Sequence, residues 1–209
     1  MAYRHLHRNL VTNNKWTRRK MDAQDIRDMP SLIDYLSKGK KTKYIYFWGH
    51  QKPKDGSIGK SCFSQWYDSP FYINNQFYKT AEHFMMAEKA RLFNDTNAES
   101  AILKSGNPGE AKRIGRNVVG FNDEVWIKER FRIVVEANEA KFAQNNVLAE
   151  SLIATGKRVL VEASPVDKVW GIGLAADDQN INSPYKWKGL NLLGFALMEV
   201  RKRLKEDAK

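Results

Sequence analysis

The stretch NDEVWIKERFRIVVEANEAKFAQN, residues 122–145, constrains the fold more than any other part of the chain. Ile127, Phe131, Val134, Val135, Asn138 and Phe142 recur in it at i, i+4, i+7, i+8, i+11 and i+15. This spacing puts one continuous face on a long α-helix, and that face needs a core to lie against.

The rest of the chain supplies shorter pieces. Residues 22–37 read as one or two short helices, with Pro30 as a start signal. Thr80 has the chemistry of an N-cap for a helix running to about Phe93. A short helix is expected over 107–116, ending near Gly115, and another over 146–156, stopped at Gly156. LNLLGFALMEVRKRLKE closes the fold, with Leu190, Leu193, Leu197, Val200 and Leu204 at core spacing. YIYFW (44–48) and KRVLVEAS (157–164) read as strands, and Asn74-Asn75 marks the tip of a hairpin between FYI and QFY. The expected fold class is α+β: a single, mainly helical domain around a small β-sheet.

With 209 residues, 42% hydrophobic and 28% charged, the chain fits one domain with an extension. Its single cysteine, Cys62, excludes an internal disulfide and a cysteine-based zinc site. A reducing cytoplasm is the natural compartment. No apolar run approaches the roughly 20 residues of a membrane span. The net charge of +11 is uneven: residues 1–43 carry 11 Lys/Arg against 4 Asp/Glu. The expected division is therefore a basic extension, 1–43, and a body, 44–209. Because residues 1–20 hold no acid, the arm reads as a solvated or loosely docked extension, a nucleic-acid-binding arm, or a targeting peptide.

Three segments stand out chemically. In TAEHFMMAEKARLF (80–93), Glu82 falls in the first turn of an otherwise apolar helix. It reads either as an acid stabilised by the helix dipole or as a carboxylate on a pocket wall, its pKa raised by burial. His83 lacks a partner at metal-ligand spacing and reads as a packed or hydrogen-bonded residue. In EASPVDKVWGIGLAADDQN (162–180), Asp167 precedes Trp170, Gly171 and Gly173. WGIG lacks the third glycine and following helix of a dinucleotide fingerprint, which leaves a binding loop or an ordinary turn. In RIGR, Arg113 and Arg116 are neighbours on a helix and suit either phosphate or solvent. Together these segments describe a pocket for an anionic ligand bearing a ring.

The ordered motifs SQWYDSPF, YKTAEHFMMAEKARLF, AKRIGR, Trp126 followed by KFAQN, LVEASPVDKVWGIGL and WKGLNLLGFALMEVR resemble the NADAR superfamily, with its YbiA-like N-glycosidases of riboflavin-biosynthesis intermediates. The resemblance covers about residues 44–204. One departure is Gln65, where many members carry Asn. The resemblance implies an α+β fold, no metal and no redox cofactor, and hydrolysis of the N-glycosidic bond of phosphoribosylamino-pyrimidines. It also admits ADP-ribosyl substrates, including removal of ADP-ribose from guanine in nucleic acid. By analogy with O-glycosidases, Glu82 is expected as general base or electrostatic stabiliser, with Asp167 as second acid or orienter of the leaving amine. Trp126 and Trp170 would stack on the base or ribose. Arg113 and Arg116, with Lys60, would take the phosphate, and Gly171 and Asn191 would complete the substrate site. Asn191 alternatively caps the last helix, and Trp126 alternatively fills the core. A different class of reading is a non-catalytic ADP-ribose or nucleic-acid binding module, with the basic arm on the phosphate backbone.

Overall fold

The computed structural model describes residues 22–207, so residues 1–21 of the basic arm lie outside the described residues. In chain order the elements are α1 (Met29–Ser37), β1 (Tyr44–Phe47), β2 (Phe71–Ile73), β3 (Gln76–Tyr78), α2 (Ala81–Leu92), α3 (Thr96–Lys104), α4 (Pro108–Gly115), α5 (Asp123–Ala143), α6 (Asn146–Ile153), β4 (Val159–Glu162) and α7 (Leu192–Asp207). The α+β class is as expected. The strands form two separate pairs rather than one sheet.

The helix starts follow from side-chain chemistry. Asp28, Thr80, Asp95, Asn107, Asn122 and Asn145 precede α1 to α6, and each side chain accepts from the backbone N–H three residues on. Each cap satisfies one of the four amides that a helix leaves unpaired at its start. The one helix without a sequence signal in our reading is α3. It buries Ile102 fully and packs Ala98 and Leu103 partly against the core, an apolar stripe of little more than one turn.

The hairpin is as expected. Phe71 pairs with Tyr78 and Ile73 with Gln76. Asn74 and Asn75 both have positive φ, 50° and 62°, the left-handed pair of a two-residue hairpin turn that asparagine tolerates well. β1 and β4 run parallel, with Phe47 opposite Glu162. The chain between them supplies most of the helices.

Helix α2 lies at the centre. Ala81 to Ala87 are all buried, because α3, α4 and α5 all pack against it. α5 also packs on α7, which in turn covers β4. Of the apolar face expected on α5, Val134, Val135, Asn138 and Phe142 are buried, while Ile127 stays exposed near the helix start. Leu190, expected in the core of the closing helix, lies before α7 and is exposed. Ala23, Ile26, Leu32 and Tyr35, from the segment before β1, belong to the same core.

Candidate active site

Glu82 sits in the first turn of α2 and is 2% exposed. One carboxylate oxygen, Oε1, is buried without a hydrogen-bond partner. Its backbone N–H donates to Gln65 O at 3.0 Å, so the segment before β2 is tied to the start of the helix. Burial pushes the Glu82 carboxyl up to about 7. The positive charge of Lys112, the Trp66 side chain offering its N–H, and Arg116 oppose that rise, while Asp167 reinforces it. Both readings of Glu82 therefore hold in part: it occupies the first turn, and it is a desolvated carboxylate.

A second carboxylate meets it from β4. Glu162 ends that strand, and its Oε2 is also buried without a partner. Burial pushes Glu162 up to about 8; Asp167 and Glu82 add to the rise and Lys112 opposes it. Asp167 therefore raises both carboxyls, Lys112 opposes the rise of both, and Glu82 adds a smaller push on Glu162.

Asp167 is held by its own loop. Its Oδ1 accepts from the amides of Val169 and Trp170 at 2.9 and 2.8 Å, and its amide donates to Ser164 Oγ at 3.2 Å. The loop then folds back onto β4, where Ile172 N–H donates to Glu162 O at 3.0 Å.

The cations come from α4. Gly115 lets this helix approach α2 at Met86, one turn beyond Glu82, and the crossing brings Lys112 and Arg116 within electrostatic reach of the carboxylate. Lys112 Nζ also lies over the Trp66 ring, 5.7 Å from its centroid. Arg113 is exposed on the same helix. The three acids do not converge as ligands: among the described residues no group of His, Cys, Asp or Glu could hold a metal ion.

Glu82, Asp167 and Arg116 are thus brought together. Trp170 is half-buried and follows Asp167 in the loop. Four other expected substrate contacts read differently. Asn191 is fully buried; its Oδ1 accepts from Glu162 N at 3.0 Å and its Nδ2 donates to Leu160 O at 2.8 Å. Both ends of the amide serve the β4 backbone, so the side chain does not cap α7. Gly171 packs against the chain, where a Cβ would lie 2.8 Å from Glu162 O. Trp126 is 9% exposed, with Lys89 Nζ 5.7 Å from its ring centroid. The same Nζ donates to Gly115 O at 2.8 Å, so Trp126 fills the core on the side of α2 that α4 crosses. Lys60 is exposed at the start of a 3-10 turn, and no interaction joins it to the acids among the described residues.

Glu162, Lys112 and Trp66 were missed by sequence reasoning. Glu162 ends an apolar strand, a signal that was present but shared with every strand that ends in a polar residue. His83 is buried as expected, its Nδ1 2.8 Å from Thr80 Oγ1. Two surface cavities lie apart from the acids. One of about 360 Å³ is beside Tyr78, Arg91 and Arg132, and one of about 600 Å³ is between Ile26 and α7.

The NADAR domain family model matches residues 46–205, well over half of the chain. The chain belongs to the NADAR domain family. N-glycosidase R617 of Acanthamoeba polyphaga mimivirus is 44% identical over 165 residues, which cover 76% of this chain and 95% of the relative. N-glycosidase YbiA of Escherichia coli (strain K12) is 31% identical over 144 residues, covering 69% of this chain and 79% of the relative. The NMR structure of E. coli YbiA superimposes with a TM-score of 0.64 at 27% identity, covering 81% of this chain and 89% of that one. The expected family and fold are therefore confirmed. Among the described residues no helix is long and apolar enough to cross a membrane.

Proposed function

We propose that this NADAR protein hydrolyses the N-glycosidic bond of a phosphoribosylamino-pyrimidine, of the kind formed in riboflavin biosynthesis, and releases ribose 5-phosphate. That the chain is a hydrolase of N-glycosyl bonds follows from its family and its N-glycosidase relatives. The observation that supports the finer reading is the pair of buried carboxyls, Glu82 and Glu162, that share Lys112 and Asp167 as neighbours, with Arg116 also near Glu82.

Breaking a ribosyl C–N bond builds positive charge on the sugar and negative charge on the departing nitrogen. Fixed carboxylates stabilise the sugar cation more than the ground state. Glu82, with a pKa near neutrality, accepts the proton of the attacking water. Glu162, which keeps its proton to a higher pH, donates it to the nitrogen as the C–N electron pair leaves with the base. Water oxygen bonds to the anomeric carbon, and the free amine and ribose 5-phosphate are the products. Asp167 supplies the negative charge that helps keep Glu162 protonated. Lys112, Arg113 and Arg116 form the cationic face for the phosphate, and Trp66 and Trp170 flank the base.

The test is incubation with 5-amino-6-(5-phosphoribosylamino)uracil, with released sugar followed by mass spectrometry and Glu82→Gln as control. Release that depends on Glu82 supports the reading; undiminished release by the variant overturns the assignment. A second reading, removal of ADP-ribose from guanine in nucleic acid, is favoured by the basic arm, with 11 Lys/Arg against 4 Asp/Glu in residues 1–43. ADP-ribosylated DNA in the same assay separates the two.

A further inference from the structure

Lys141 has a place in this fold that stability alone does not explain. It lies near the end of α5 and is 0% exposed. Its Nζ donates to Cys62 O at 2.6 Å and to Ser64 O at 2.9 Å. No carboxylate balances it among the described residues. Burial holds the lysine down to about 7, and the neighbouring Cys62 thiol is itself pushed up to about 11 by burial. The Tyr67 and Phe142 rings lie 5.5 and 5.1 Å from Nζ and offset part of the desolvation. A buried ammonium without a counter-charge is costly, and an apolar residue of similar length would fill the space more cheaply.

What the ammonium holds is the segment that reaches Glu82. One turn before Lys141 on the same helix, Asn138 donates to Gln65 Oε1 at 2.7 Å. Gln65 O accepts the Glu82 backbone N–H. Trp66 N–H donates to Ser64 Oγ at 3.2 Å, and its side chain faces the Glu82 carboxylate. Residues 62–66 are therefore clamped between the α5 face and the start of α2.

We infer that Lys141 is a positioning residue: by gripping the carbonyls of Cys62 and Ser64 it sets the Trp66 side chain over Glu82 and so tunes that carboxylate for water activation. This rests on the role proposed for Glu82. The other groups that face Glu82 are Lys112 and Arg116 from α4, Glu162 from β4 and Asp167 from the following loop; none of them touches Lys141.

The experiment compares Lys141→Met, Trp66→Phe and the double variant by kcat, KM and thermal midpoint. It also follows the titration of the Glu82 carboxyl by ¹³C NMR, assigned with Glu82→Gln. Lys141→Met should fold, lose roughly 10- to 100-fold in kcat, and change KM by less than about threefold. The double variant should be no slower than Trp66→Phe alone, because both act on one contact. The Glu82 titration midpoint should move in Lys141→Met. Full kcat in Lys141→Met, losses that multiply in the double variant, or an unmoved Glu82 midpoint would overturn the inference. If Lys141→Met does not fold, Lys141→Gln, whose side chain is one atom shorter and cannot grip both carbonyls, is read by the same criteria. If the protein hydrolyses no ribotide, the Glu82 midpoint still decides between a tuning and a merely structural lysine.

Discussion

Gly115 stands so close to Met86 that a Cβ in place of its hydrogen would lie 2.2 Å from the methionine sulfur and 3.0 Å from Met86 Cβ. The close crossing of α4 on α2 is what delivers Lys112 and Arg116 to Glu82. Because the Met86 Cβ is also in the way, a rotamer change alone does not make room. Gly115→Ala should lose about 1–3 kcal/mol of stability, measured by denaturant melting. It should also lower kcat/KM, because the cations retreat from the carboxylate.

Glu82→Gln should lower kcat by about 10²–10⁴-fold, the usual worth of a proton-transfer group. Its thermal midpoint should hold or rise, since an amide in that buried position carries no charge to desolvate. Ribose 5-phosphate release and a thermal melt on the same preparation check both halves.

The pH profile of kcat/KM should be a narrow bell. Glu82 must be ionised, so activity should climb as pH rises through about 7; Glu162 must be protonated, so activity should fall above about 8. Glu162→Gln should remove the alkaline limb and lower the maximum. Lys112→Ala should move the acid limb upward, because the positive charge that favours ionised Glu82 is gone.

Stability should respond to the same acids. Both have folded-state pKa values above the ordinary 4.5, so between about pH 4.5 and 8 the folded chain holds more protons than the unfolded one. Their contribution to stability therefore falls as pH rises through that window and is constant below it. Lys141 works the other way, but only above about pH 7. Urea midpoints from pH 5 to 7 should decline less steeply in Glu162→Gln than in the parent.

Asn191→Ala should act on the fold before it acts on binding. It leaves the Glu162 amide and the Leu160 carbonyl without partners in a buried place, at about 1–3 kcal/mol each. It also puts alanine at a φ of +53°, which favours asparagine or glycine. Chemical denaturation should show the loss, while KM of the remaining folded enzyme changes little.

Much of the local architecture was legible in the sequence. The caps, the Asn74-Asn75 turn and the periodicity of α5 act over three to eight residues, and such signals survive in a linear string. Glu82 was legible because an acid among Ala, Phe and Met in a first turn is conspicuous. α3 was not, because a helix whose core contacts are Ala98, Ile102 and Leu103 is too short to repeat its pattern.

The amino-acid sequence by itself determined where the helices start, where the hairpin turns and that a carboxylate opens α2. The tertiary structure alone decided that Glu162 meets Glu82, that Lys112 and not Lys60 is the lysine beside them, and that Asn191 and Gly171 serve the backbone of β4. The physical reason is range. Capping and periodicity are settled between neighbours along the chain, whereas desolvation and charge coupling depend on which surfaces are pressed together. Glu82 and Glu162 are separated by most of the helices and acquire their shared chemistry only when β4, α2 and α4 exclude water from the same place.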